Sequence, residues 1–161
     1  MSHKNVLAVD FGASSGRVML GNFDGNRLSI QEIHRFPNDP VILNGTMYWD
    51  FLRLFYEVKQ GLMKAKKYGK IDSIGVDTWG VDFGLIDKEG NLLENPVHYR
   101  DARTAGMLEK SFGKMDKDRF YQITGSQFME INTVFQLLAL LEKRPGLLEG
   151  TSRLLLMPDL F

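Results

Sequence analysis

The run Val9-Asp10-Phe11-Gly12-Ala13-Ser14-Ser15-Gly16-Arg17 gathers a carboxylate, two hydroxyls, two glycines and a guanidinium within a few residues. The apolar residues Val6 to Val9 before it read as a buried strand, so Asp10 falls at that strand's carboxyl end, partly desolvated. A carboxylate in such a place calls for a cationic partner, and magnesium or its coordinated water suits hard oxygen ligands. Gly12 and Gly16 bracket a turn in which the backbone can approach an anion closely. Successive N–H groups of such a turn form an anion nest. Ser14 and Ser15 add hydroxyl donors, and Arg17 adds a planar fork of donors matched to phosphate. These groups together could hold a metal–triphosphate complex; the plain alternative is an ordinary hairpin with small residues in its turn.

Known nucleotide loops constrain that reading. The Walker pattern G-x-x-x-x-G-K followed by Ser or Thr fails, because Arg17 and Val18 follow Gly16. The dinucleotide fingerprint fails because the glycine turn leads into a strand and not a helix. The Asp-Phe-Gly triplet is not that of a protein kinase, since no glycine-rich loop, strand lysine or His-Arg-Asp loop precedes it. Val-Asp-Phe-Gly recurs at Val81 to Gly84, but Gly-Leu-Ile-Asp follows Phe83 and supplies no donors. Asp82 therefore reads as a strand residue at the edge of a pocket, and the repeat as chance.

The elements that must position these residues follow from pattern. Asn5 to Asp10, Arg17 to Phe23 and Arg27 to Phe36 read as three consecutive antiparallel strands, joined by the glycine turn and by Asp24-Gly25-Asn26. In the third, the apolar alternation Leu28, Ile30 slips by one to Ile33. The segment from Phe36 to Trp49, with two prolines and an Asn-Gly, reads as a loop. Asp50 is the expected N-cap of a helix carrying Phe51, Leu54, Phe55, Val58 and Leu62 at helical spacing, with Gly69 past its end. Ile71 to Asp77 is a fourth strand. A hairpin is expected around Lys88 to Asn91, then helices from Asp101 to about Phe112, from about Lys117 to Ile123, and from Asn132 to before Pro145. The last helix is expected to bury Val134, Leu137, Leu138 and Leu141, with Asn132 and Thr133 in capping roles, and Arg153 to Pro158 is expected to be a last buried strand. Phe51, Phe55 and Phe135 read as core. This order predicts an α/β domain: a mixed five-stranded sheet with an inserted hairpin and helices.

Composition removes several function classes. The 161 residues carry 20 basic and 20 acidic side chains, so the basic footprint of a nucleic-acid binder is missing. Without cysteine there is no thiol catalysis, disulfide or zinc–thiolate site, which fits a reducing cytoplasm. His3, His34 and His98 stand at no metal-ligand spacing, although His98 adjoins the run Tyr99-Arg100-Asp101-Ala102-Arg103, where a pocket residue could lie. No segment approaches the roughly 20 apolar residues of a membrane span.

The hairpin from Ala8 to Leu20 resembles the first phosphate hairpin, D-x-G-x-x-S/T-x-R/K, of the FGGY sugar kinases. The likeness extends in order through Glu32 to Phe36, Tyr48-Trp49-Asp50, Ile71 to Asp87, Tyr99 to Thr104, Tyr121 to Gly125, Asn132 to Leu140 and Leu154 to Asp159, and so covers Asn5 to Phe161. The resemblance implies a ribonuclease H-like domain of the actin, hexokinase and heat-shock ATPase superfamily, ATP and magnesium as cofactors, and a ketose as acceptor. The expected acceptor is L-rhamnulose, phosphorylated on its 1-hydroxyl, with xylulose, fuculose and ribulose as alternatives. It implies that Asp10 holds magnesium, directly or through water, and that Asp10, Gly12, Ala13, Ser14, Ser15, Gly16 and Arg17 form the ATP phosphate site. Gly80 is expected against the sugar, with Trp79 as an apolar face and Asp77, Asp101 and Arg103 nearby; Arg100 to Arg103 either contact substrate or pin the loop, and an N-cap is the plain reading of Asp101. Glycerol-kinase relatives carry Arg and Glu where this chain has Gly80 and Val81, which argues against glycerol.

Members of that family run several-fold longer. Residues 1–161 are therefore expected to be most of an N-terminal kinase domain, with the general-base aspartate and the adenosine-binding C-terminal domain beyond Phe161. The segment alone is expected to be inactive and to associate through apolar surface. Were the chain complete, a non-catalytic sugar- or phosphate-binding module would be the better reading.

Overall fold

The computed structural model describes residues 3–161, which fold into two compact units. The first unit comprises residues up to Val41, Trp49–Gly80 and Met157–Phe161; the second comprises Ile42–Tyr48 and Val81–Leu156.

The first unit is built on β1 (Lys4–Phe11), β2 (Ser15–Phe23), β3 (Leu28–Pro37) and β6 (Ser73–Asp77), in the order β3-β2-β1-β6. The three consecutive strands are antiparallel, as their turns dictate, and β6 lies parallel to β1 after a helical crossover. The slip read at Ile33 is a bulge: Val18 pairs with His34 while Met19 pairs with Glu32, leaving Ile33 unopposed. Alternation sends Leu7, Val9 and Phe11 of β1, with Val18 and Leu20 of β2, into one core beneath α1 (Phe51–Ala65). Asp50 caps α1 by accepting from the Arg53 N–H, and Leu54 and Val58 are buried on its inner face. Gly61 lets α1 approach β2: a Cβ there would meet Val18 Cγ2 at 2.4 Å. Phe55, expected in the core, is 38% exposed, because the stripe is narrower than the apolar spacing suggests. Its place on the inner face is taken by Glu57, which accepts from His34 Nε2 (2.7 Å) and Arg53 Nε (2.7 Å). Burial alone would push the Glu57 carboxyl up; those two partners outweigh it and hold it below the usual glutamate range.

The Asn44-Gly45 pair, read as part of a loop, turns a short hairpin of β4 (Val41–Leu43) and β5 (Thr46–Tyr48), both residues having positive φ.

In the second unit β7 (Phe83–Ile86) pairs antiparallel with β8 (Arg153–Leu156). Among the described residues the main sheet thus has four strands, and the expected fifth belongs to this separate two-stranded sheet. Nor is β8 buried, since Leu154 and Leu156 are 38% and 45% exposed. The hairpin around Lys88 to Asn91 is present as a bridge between Ile86 and Leu92, with Gly90 at φ 90°. The helix expected from Asp101 is broken: a 3-10 turn over Ala102–Thr104 ends before left-handed Gly106, and α2 (Met107–Phe112) follows. Next come α3 (Lys117–Thr124), α4 (Thr133–Lys143) and α5 (Pro145–Glu149), the last beginning on the proline that stops α4. α4 buries Phe135, Gln136, Ala139 and Leu140, while Val134 and Leu141 are exposed, so the buried face is rotated from the one expected. The chain returns to the first unit in α6 (Met157–Leu160), with Met157 fully buried and Phe161 stacked on Phe11 at 4.3 Å between ring centroids.

Candidate functional site

The β1–β2 hairpin sets opposite charges face to face. Register pairs Asp10 with Arg17, and Arg17 Nε donates to Asp10 Oδ2 at 2.8 Å. Both side chains are about two-fifths exposed, so the pair is held at the surface. On the other side of β1 the parallel register places Asp77 directly beside Asp10. Two carboxylates thus end adjacent strands, a few ångström apart by strand spacing. The turn between them and Arg17 leaves Ala13 and Ser14 exposed. Among the described residues the N–H groups of Ala13 and Ser14 meet no acceptor. Gly16 is sealed from behind by Phe36, whose ring would lie 2.2 Å from any added Cβ.

This donor set fits a magnesium-bound polyphosphate. One or two carboxylates with the rest of the shell from water and phosphate is the usual magnesium arrangement, and Asp10, with Asp77 beside it in register, could take part in one. Exposed amides, two serine hydroxyls and a guanidinium suit the phosphate oxygens. Among the described residues no group of three or more His, Cys, Asp and Glu side chains could hold a metal through protein ligands alone.

Trp79 and Gly80 follow β6 by two and three residues. Trp79 packs at a tilt of 30° against fully buried Trp49, 3.8 Å between ring centroids. Gly80 is exposed, and a Cβ added there would find no atom within 4 Å. Its φ is not in the left-handed region, so the fold itself does not demand glycine at this position.

In the second unit Asp101 spends both oxygens on the backbone, accepting from Arg103 N–H (2.9 Å) and Met47 N–H (2.8 Å). The cap reading of Asp101 therefore describes its local role, although the element is a 3-10 turn. The Arg103 guanidinium donates to Gln136 Oε1 at 2.6 Å, and burial pushes it down from its usual range. Asp82 is not the donor-poor residue its neighbours suggest. It is fully buried and accepts from Tyr99 N–H (3.2 Å) and Gln136 Nε2 (2.9 Å). Asn132 and Thr133 do not cap α4 through their side chains: Asn132 Nδ2 donates to Gln127 O, and Thr133 Oγ1 donates to Val81 O at 2.7 Å. That second bond helps hold Val81 at φ 72°, a strained conformation for a β-branched residue. Gln136, buried and bonded to Arg103, Asp82, Val81 and Ile131, is the hub that pattern reading missed, because a glutamine among leucines gives no periodic signal.

His98 is 3% exposed and its Nδ1 accepts from the Arg100 N–H at 3.0 Å. Protonation would break that bond; desolvation, aided by Arg100 and opposed by Asp101, lowers its pKa to about 4. The folded state therefore prefers neutral histidine. Stability should be fully present above pH ~6.5 and fall as pH drops from there toward ~4, because the unfolded chain takes the proton first. Urea unfolding at pH 7, 5.5 and 4.5 should show a steeper acid loss for the wild type than for His98→Asn, whose amide oxygen can take the same N–H.

Comparison with known proteins identifies the family and the fold. The description "FGGY family of carbohydrate kinases, N-terminal domain" matches residues 5–161. A rhamnulokinase from Oceanobacillus iheyensis is 44% identical over 154 residues, 95% of this chain and 33% of that protein. A gluconate kinase from Lactobacillus acidophilus superposes with a TM-score of 0.80 at 16% identity, over 96% of this chain and 31% of that one. The ligand-bound xylulose kinase of the same organism gives 0.79 at 16%, over 94% and 31%. The chain spans about a third of the length of these relatives. At such low identity the two structures speak for the fold alone, the α/β fold of the actin and hexokinase type with a mixed sheet. On that match over residues 5–161, the chain belongs to the FGGY family of carbohydrate kinases.

Proposed function

We propose that the protein containing this chain transfers the γ-phosphoryl group of ATP to the 1-hydroxyl of L-rhamnulose. The observation that carries the reading is the 44% identity to a rhamnulokinase across nearly the whole chain. Asp10, Gly12, Ala13, Ser14, Ser15, Gly16 and Arg17 would hold the ATP phosphates, and Asp10 would bind magnesium directly or through water. Magnesium, when bound, offsets the charge of the phosphates. Asp77, Trp79 and Gly80 would bind the sugar, with the Trp79 indole supplying an apolar face for the methyl end of a 6-deoxy ketose. Asp101 and Arg103, also expected to serve the substrate, have backbone and Gln136 bonds that suit them to pinning the loop they share. In the step itself the sugar oxygen attacks the γ-phosphorus, the bond to ADP breaks, and the hydroxyl proton passes to a base. That base and the adenosine pocket would come from the remainder of the protein, so this chain alone would turn over no ATP. ATP and a catabolic sugar as substrates suit a cytoplasmic location.

The test is ADP release by the full-length protein on L-rhamnulose, xylulose, fuculose and ribulose. Highest kcat/KM on L-rhamnulose is expected; a preference for another ketose would replace the substrate, and no activity on any of them would overturn the reading. Gly80→Arg should fold normally, since the position has open space, and should raise the ketose KM at least about a hundredfold by filling it. Unchanged ketose kinetics in that variant would remove Gly80 from the site.

A further inference from the structure

Asn38 lies outside the phosphate turn, one residue past the end of β3, and is 2% exposed. Its Nδ2 donates to the Gly12 carbonyl at 2.7 Å, and its backbone N–H donates to the Ser14 carbonyl at 3.1 Å. The Gly12 N–H in turn donates to the Ser15 carbonyl at 2.9 Å. The carbonyls of Gly12, Ser14 and Ser15 are therefore all turned toward protein donors.

A trans peptide points its C=O and the next N–H in opposite directions. Fixing the Gly12 carbonyl inward thus aims the Ala13 N–H outward, where among the described residues it meets no acceptor. A turn free to rotate that peptide would present the carbonyl oxygen to an incoming phosphate instead, and repel it. The end of β3 acts as one piece here, since the Phe36 ring closes against Gly16 at the far side of the same turn.

We propose that Asn38 is the positioning residue of the nucleotide phosphate site: its two hydrogen bonds hold the Gly12–Ser15 turn with amides out and carbonyls in. Asn38 touches no phosphate; it sets the direction of the groups that do. The side chain must be a neutral donor, because a carboxylate in its place would set an acceptor against the Gly12 carbonyl. This rests on the phosphate-hairpin reading above.

The test uses the full-length protein, with calorimetric Kd for Mg-ADP and for L-rhamnulose measured separately, and thermal unfolding alongside. Asn38→Asp and Asn38→Ser should each weaken Mg-ADP binding, by about tenfold or more for Asp. The serine, which keeps a donor, should lose less, and both should leave ketose Kd within about twofold. A purely structural Asn38 would lower Tm and leave the nucleotide Kd unchanged, which overturns the proposal. Arg17→Ala separates the two levels. If it leaves Mg-ADP affinity intact, the phosphate-hairpin reading fails and the role of Asn38 with it. If it weakens binding while folded Asn38 variants do not, the Asn38 inference alone fails. Should neither Asn38 variant fold, a Mg-ADP complex of the wild-type protein decides: both Asn38 bonds to the turn must persist, and a turn that breaks either on binding overturns the proposal.

Discussion

Asp10→Asn in the full-length protein is expected to reduce kcat at least about a hundredfold while leaving stability nearly unchanged. The two halves of that expectation have separate origins. The Asp10–Arg17 pair is two-fifths exposed on each side, and exposed ion pairs contribute about 1 kcal/mol or less. No fold-level penalty therefore hides the chemical one. The loss in rate follows from removing the carboxylate near the end of β1, the group proposed to hold magnesium at the ATP phosphates. Coupled ADP detection gives the rate, and urea unfolding gives the stability. Activity within threefold of wild type would remove Asp10 from the site.

Asp82→Ala should behave in the opposite way, although the surrounding tetrapeptide is identical. The side chain is fully buried, and its removal takes one acceptor from the Tyr99 N–H and one from Gln136 Nε2. Leaving buried donors unpaired in a network of this kind costs about 3 kcal/mol. Gln136 also holds the Val81 carbonyl and the Arg103 guanidinium, so the loosening should spread through those contacts. Equilibrium unfolding should show the loss, while the Mg-ADP affinity of the folded fraction stays unchanged. A variant as stable as wild type would mean that Gln136 and Tyr99 find other partners without cost.

That contrast marks how much was legible beforehand. The hairpin that brings Asp10 against Arg17 could be read because both lie within eight residues, on strands whose register follows from alternation and a short turn. The strand order of the first unit was legible for the same reason, down to the bulge at Ile33. Asp82 was misread because its donors come from 17 and 54 residues away. Asn38 left no trace, sitting between two prolines in what read as plain loop, 26 residues from the carbonyl it binds. The face of α4 was misjudged because Gln136 lies on the buried side and leucine on the exposed one, so hydrophobicity alone points the wrong way. The fifth strand was assigned to the main sheet because an apolar run says that a strand exists and not which edge it joins.

The interleaving of the two units bears on how the chain is made. Strands β1 to β3 need only contacts close in sequence, and β6 completes their sheet once residue 77 has formed. The Phe11 ring, however, receives its stacking partner from Phe161, 150 residues later. During synthesis the phosphate hairpin can therefore exist with Phe11 covered edge-on by Phe36 but without its stacking partner while the whole second unit is still being added. Closure waits on the return of Met157 and Phe161, and until then the growing chain carries an open apolar seam of the kind that chaperones engage.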